Sequence, residues 1–246
     1  MRLLHTTELR LVEFQGQRIL PPAIPPYAIL SHTWAEEEVS FQDIQQGLAQ
    51  SRRGFEKVAG ACAQAVQDGF EYLWIDTCCI DKSSSAELSE AINSMFRWYR
   101  DAEVCYAFLS DVDADESPSS EASSFRKARW FTRGWTLQEL IAPGVVYFYG
   151  AGWKQIGSRE TLLNLIVDIT GISESYFTTG DLTQFSAAQK ISWAAYRETT
   201  RVEDEAYSLL GLFDINMPLL YGEGERAFQR LQEEILRQFE DDSLFA

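Results

Sequence analysis

Positive charge is scarce in this chain of 246 residues: 21 Lys and Arg face 37 Asp and Glu, a net charge of −16. That excess repels nucleic-acid phosphates and anionic lipid headgroups, so neither nucleic acid nor membrane is expected as a partner, and a phosphate-bearing ligand would need locally concentrated cations. No run of about 18 apolar residues is present to span a bilayer. The first twenty residues alternate polar and apolar side chains without a signal-type apolar stretch, and a cytoplasmic location is expected. The four cysteines, Cys62, Cys78, Cys79 and Cys105, lack CxxC spacing and fit neither a disulfide framework nor a zinc site; buried reduced thiols are expected, and no metal. GxGxxG, Walker A and GxSxG elements are absent, and Gly222-Glu-Gly-Glu225 is too acidic to cradle phosphate.

What is present is enough apolar material for a core, 46% of residues. Residues 9–20 read as a β-hairpin around Gln15-Gly16, after which Pro21, Pro22, Pro25 and Pro26 impose an extended entry. Four short runs rich in β-branched and aromatic residues follow, at 27–31, 72–76, 104–109 and 145–149. They are almost continuously apolar, as strands covered on both faces are. Helix-period stretches at 55–67, 86–100 and 134–141 alternate with them, which predicts an α/β fold with a flavodoxin-like parallel sheet flanked by helices. The loop 111–124, rich in Asp, Ser, Glu and Pro, is expected to be too polar to pack and to be mobile.

The last third reads as helices. One is expected over 187–197, and another opens at Thr200-Arg-Val-Glu203, read as a capping box, with Gly211 placed to end it. A third, over 224–240, sets Ala227, Leu231, Ile235 and Phe239 in one apolar stripe. Because the chain stops at Asp242-Ser-Leu-Phe-Ala246 without a closing feature, it is expected to be the N-terminal piece of a longer protein.

Four stretches carry a family likeness: Tyr27-Ala-Ile-Leu-Ser-His-Thr-Trp34, Tyr72-Leu-Trp-Ile-Asp-Thr-Cys-Cys-Ile-Asp-Lys82, Arg133-Gly-Trp-Thr-Leu-Gln-Glu-Leu140 with Ile141-Ala-Pro143, and Arg201-Val-Glu-Asp-Glu-Ala-Tyr-Ser-Leu-Leu-Gly211. Together, in this order, they resemble the signature blocks of the fungal heterokaryon-incompatibility (HET) domain, a trigger of self/non-self cell death. The resemblance implies one HET domain over 1–246, with an α/β core at 24–155 and a helical extension at 156–246. It also implies self-association, or a neighbouring NLR-like nucleotide-binding oligomerisation module in the whole protein.

A second resemblance joins Glu87-Leu-Ser-Glu-Ala-Ile92, Ala102-Glu-Val-Cys-Tyr-Ala-Phe-Leu-Ser110, Trp130 and Gly134-Trp-Thr-Leu-Gln-Glu-Leu140. These look like the central helix, strand and next helix of Toll/interleukin-1 receptor (TIR) domains. Plant-type members carry Trp-Cys-Leu-x-Glu-Leu there, and that Glu is catalytic in NAD-cleaving members. Carried over, it is Glu139; the Cys of the pattern is Thr136 here, and an acidic loop is inserted before Trp130. The likeness implies a TIR-like NAD⁺ hydrolase with NAD⁺ as substrate and no cofactor.

One carboxylate suffices for that chemistry, because nicotinamide is a cationic leaving group that departs neutral. The carboxylate needs only to hold the ribose and stabilise an oxocarbenium-like transition state. Trp135 and Glu139, four apart, share a helix face, and Thr132 is a candidate N-cap. The stretch Arg126-Lys-Ala-Arg-Trp-Phe-Thr-Arg133 concentrates four cations of the kind a pyrophosphate requires. Ligands gather at the carboxyl ends of parallel strands, so the expected site is Glu139 as catalytic residue with His32, Trp34, Asp76, Arg133 and Trp135 binding substrate.

Other readings stand beside each of these. Glu139 also reads as a solvated carboxylate or a partner of Arg133, Trp135 and Trp34 as core anchors, and His32 and Asp76 as strand-end hydrogen-bonding groups. Lys82 reads as surface, and Arg201, Glu203 and Asp204 as a buried ion-pair lock between extension and core. A thiol hydrolase using Cys78 or Cys79 with His32 and Asp76 is a rival enzyme, and a non-catalytic oligomerisation module is the rival of another class.

Overall fold

All six residues of Tyr27–His32 are buried, as befits a strand with neighbours on both edges and helices on both faces. In the computed structural model, which describes residues 1–14, 24–238 and 243, this strand is the third of seven in one sheet. The strands are β1 (Arg2–His5), β2 (Leu11–Glu13), β3 (Tyr27–His32), β4 (Tyr72–Trp74), β5 (Val104–Phe108), β6 (Val146–Tyr149) and β7 (Gln155–Ser158). Their order is β2-β1-β4-β3-β5-β6-β7. The inner four are parallel, and antiparallel strands extend both edges, so the fold is α/β with a parallel centre inside a mixed sheet. From β3 the chain steps out to β4, returns across β3 to β5 and continues to β6, which reverses the winding between β3 and β5.

The helices are α1 (Phe41–Gln45), α2 (Phe55–Gln67), α3 (Asp76–Cys79), α4 (Ser85–Asp101), α5 (Thr136–Ile141), α6 (Leu163–Thr170), α7 (Glu174–Thr179), α8 (Ala187–Ser192), α9 (Asp204–Tyr207) and α10 (Arg226–Gln238). Alternation along β5 separates the two layers. Tyr106 donates to Asp68 beyond α2 at 2.6 Å, and Phe108 stacks on Trp153. The Trp153 indole fills the space over Gly60 of α2, where a Cβ would lie 2.0 Å from its nitrogen. Cys105 points the other way, to the Glu139 carbonyl of α5 at 3.8 Å, and α5 packs on α4. Two tyrosines pin α4 to the sheet, Tyr27 through the Trp98 carbonyl at 2.6 Å and Tyr99 through the Leu30 carbonyl at 3.0 Å.

Several local expectations are corrected. The N-terminal hairpin pairs β1 with β2 around residues 6–10; the turn expected at Gln15-Gly16, with Leu20, Pro21 and Pro22, lies outside the described residues. Residue 76 starts α3 rather than ending β4. Thr132 does not cap α5, since its hydroxyl bonds the Arg129 carbonyl and α5 begins at Thr136. The polar loop 111–124 does pack: Val112 and Ser123 are buried, and Ser124 ties Asp113 and Glu116 together. Its polar side chains cap its own turns.

In the last third, α8 stops at Ser192, short of the expected end at 197. The capping box at Thr200 does not form. Thr200 Oγ1 accepts from Arg133 at 3.1 Å, while Glu203 accepts the Gly222 and Gly224 N–H groups at 2.7 and 3.1 Å. Gly211 lies within a tight turn, Leu210–Leu212, where a Cβ would stand 2.1 Å from that of Phe96, so its role is close packing on α4. Asn93 of α4 bonds both the N–H and the carbonyl of Met217. The α10 stripe buries Ala227, Leu231 and Ile235; Phe239 lies outside the described residues.

Candidate functional site

The carboxyl ends of β3 and β4 open into a cleft of about 330 Å³, beside the winding reversal where open α/β sheets hold ligands. All six residues expected at a site line it: His32 and Trp34 after β3, Asp76 after β4, and Arg133, Trp135 and Glu139 on and before α5. The sheet supplies the strand ends, and α4 supplies one wall through Leu88, Ile92, Met95 and Tyr99. The C-terminal third closes the other side with Thr200, Arg201, Asp204 and Tyr221.

Asp76 is the hub of one half. It accepts from His32 Nε2 at 2.9 Å and from Trp34 Nε1 at 2.8 Å, with Lys82 Nζ at 3.7 Å. Burial opposes ionisation of Asp76, but Lys82, His32 and Trp34 together outweigh it and hold the carboxyl well below the usual carboxylate range. The Lys82 ammonium sits 3.6 Å from the Trp34 ring centroid, and burial pulls its pKa down against the charge of Asp76. Lys82 therefore lines the pocket while staying exposed at its rim, so its surface reading holds and its place at the site is the addition. Trp34 is 53% exposed, which leaves much of its indole open at the rim and excludes a core role.

Glu139 anchors the other half. Its side chain accepts from Ser31 Oγ, which in turn accepts from Trp130 Nε1 at 2.7 Å. At 7% exposure it is neither a solvated carboxylate nor paired with Arg133. Burial drives its pKa up to about 8; the charge of Asp76 adds to this, while Ser31, Tyr99 and Arg197 oppose it. At neutral pH Glu139 is thus held mainly in its protonated form beside an ionised Asp76. Arg197, lowered to about 10 by burial and held up by Glu139, bonds the Arg133 carbonyl and Thr136 Oγ1 at 2.9 Å each. Gly134 N–H also reaches the Glu198 carbonyl, so the C-terminal third is stitched to the entrance of α5.

The expected ion-pair lock of Arg201, Glu203 and Asp204 is not formed. Arg201 lies over the Tyr221 ring at 4.5 Å, Glu203 bonds backbone N–H groups, and Asp204 accepts from Tyr221 at 2.9 Å. Burial raises the Asp204 pKa against hydrogen bonds from Tyr221 and Trp135. Nor does the basic run 126–133 form one patch: Arg126 pairs with Asp168, and only Arg133 reaches the cleft. Of the thiol-hydrolase constellation the His32–Asp76 pair forms, but no cysteine joins it: Cys78 and Cys79 are buried with their thiols on the Ile75 and Leu73 carbonyls, and Cys78 is pushed well up by Cys79 and burial.

Sequence reasoning missed Lys82, Tyr99, Thr200, Arg201, Asp204 and Tyr221 as pocket residues. The spacing of Leu88, Ile92, Met95 and Tyr99 marks one face of α4, but nothing local says that part of this face borders a cavity.

The chain is thus a doubly wound α/β domain whose charged, aromatic-lined cleft lies at the carboxyl edge of its sheet, where folds of this class hold their ligands. The family model described as heterokaryon incompatibility protein (HET) matches residues 27–127, and one described as a domain of unknown function (DUF8212) matches 226–246. Vegetative incompatibility protein HET-E-1 of Podospora anserina is 51% identical over 244 residues, covering 96% of this chain and 18% of that protein. The chain thus spans less than a fifth of that relative's length. No solved structure matches. The chain belongs to the heterokaryon-incompatibility family.

Proposed function

We propose that this chain is the cell-death effector domain of a fungal self/non-self recognition (heterokaryon incompatibility) protein, and that when oligomerised it cleaves NAD⁺ at the nicotinamide–ribose bond. The family and the HET-E-1 likeness support the first part. The second rests on the TIR-like pattern around Glu139 and above all on one observation: a buried carboxyl, two indoles and three cations share one cleft at the strand ends.

In this reaction the C1′–N bond breaks with its electron pair passing to nicotinamide, and water adds to C1′ with loss of a proton. Glu139, its pKa raised by burial, faces a cationic pyridinium when substrate binds. That charge lowers its pKa, the proton leaves to solvent, and the resulting carboxylate stabilises the oxocarbenium-like ribose. Trp34 and Trp135 offer ring faces to the bases.

The test is NAD⁺ consumption by the wild type and Glu139→Gln, each with and without a fused oligomerising tag. Only the assembled wild type should turn over, with the variant reduced about 10²-fold or more. The hydrogen bonding of Glu139 to Ser31 and thence Trp130 favours a second reading, in which the carboxyl is a brace inside a non-catalytic oligomerisation module. An assembled wild type that kills cells without consuming NAD⁺ decides for that reading.

A further inference from the structure

In a chain with 37 acidic residues, two guanidinium groups in the cleft stand without a carboxylate at ion-pair distance among the described residues. Arg133 has the Thr200 hydroxyl at 3.1 Å, and Arg201 has the face of Tyr221 at 4.5 Å. Both line the same cavity, as does Thr200, which accepts from Arg133 and directly precedes Arg201 in the chain. The acidic neighbours that might have neutralised Arg201 are otherwise engaged, Glu203 on the N–H groups of Gly222 and Gly224 and Asp204 on the Tyr221 hydroxyl. Those same bonds fix the Tyr221 ring on which the guanidinium rests. Two planar five-donor groups with spare donors suit phosphate oxygens better than any neutral group.

We propose that Arg133, Thr200 and Arg201 form an anion subsite that takes the diphosphate of a nucleotide ligand, with the C-terminal third supplying two of its three side chains. This deepens the pocket's role as the substrate site and rests on that reading. It also assigns a function to Arg201, which makes no ion pair, and of the run 126–133 it keeps Arg133 alone as a source of positive charge.

The experiment is calorimetric titration of the 246-residue chain with ADP-ribose and with inorganic pyrophosphate, for wild type, Arg133→Met, Arg201→Met, Arg201→Lys and, as a cation outside the cleft, Arg100→Met. Melting curves confirm that each variant is folded. Wild type should bind both probes, ADP-ribose at least 10-fold tighter. Arg133→Met and Arg201→Met should each weaken both about 10-fold or more, Arg201→Lys should recover part of the loss, and Arg100→Met, which removes an exposed guanidinium outside the cleft, should bind like wild type. Absence of pyrophosphate binding, or unchanged affinity in folded Arg201→Met, overturns the subsite; equal affinity for the two probes overturns its assignment to a nucleotide. Binding without NAD⁺ turnover by the tag-assembled wild type leaves the subsite standing and removes only the hydrolase. Turnover by Arg201→Met at wild-type KM does the reverse.

Discussion

At the scale of the residue, the balance at Glu139 decides both chemistry and stability. Its ordinary value is 4.5 and its folded value about 8, so folding favours the protonated form. The stability this contributes is complete below pH 4.5 and is lost as pH rises through 8, a change of about 5 kcal/mol, of which about 4 kcal/mol falls between pH 5 and 8.5. Glu139→Gln keeps an acceptor for Ser31 and cannot ionise, so urea unfolding at pH 5 and pH 8.5 should show the wild type losing stability relative to the variant by about that amount. Parallel pH profiles for the two proteins would contradict the assignment. The same carboxyl gives kcat/KM for NAD⁺ a pH dependence: if the ionised form is the working one, the ratio climbs towards pH 8 and levels above it. Ser31 is the partner whose loss is felt twice. Ser31→Ala strips an acceptor from the fully buried Trp130 indole and a donor from Glu139, and should lower unfolding free energy by about 1–3 kcal/mol. Adding Trp130→Phe removes the orphaned donor, so the double variant should cost less than the sum of the two singles.

At the scale of the element, what was legible is what is local. Helix α2 spans Phe55–Gln67, as its period indicates, and β3, β5 and β6 fall within a residue of their apolar runs. The six expected site residues meet because strand-end positions follow from strand positions. What was not legible depends on partners remote in sequence. The hydroxyl of Thr200, suited to capping its own helix, is taken by Arg133, 67 residues earlier. Glu203 and Asp204 look like ion-pair formers until the 218–225 segment arrives to bond them. Gly211 looks like a helix stop, but its lack of a side chain is required by Phe96. Gly211→Ala should therefore destabilise by about 1–3 kcal/mol through overpacking. Phe96→Gly made alongside removes the Cβ it would meet and should relieve much of that, so urea melts of the two singles and the double should give a coupling energy of opposite sign to the single costs. Simple additivity would mean that Gly211 serves its turn and not the contact with α4.

At the scale of the molecule, the net charge of −16 sets a condition on the proposed oligomeric activity. Like-charged copies repel over a distance set by the Debye length, about 20–30 Å in 10–20 mM salt and about 6 Å at 0.3 M. Cations buried inside a cleft do little to soften that repulsion between outer surfaces. Self-association of the isolated chain should accordingly strengthen with salt. Sedimentation velocity at fixed protein concentration should show a monomer at 20 mM NaCl and a rising weight-average mass towards 300 mM. Salt acts oppositely on the diphosphate contacts of Arg133 and Arg201, which screening weakens. NAD⁺ turnover by the untagged chain should therefore pass through a maximum as salt rises, whereas a chain held together by a fused tag should only decline. A monotonic decline in both forms would place assembly outside the reach of surface charge, and a monomer at every salt concentration would mean that some other agent must bring the copies together.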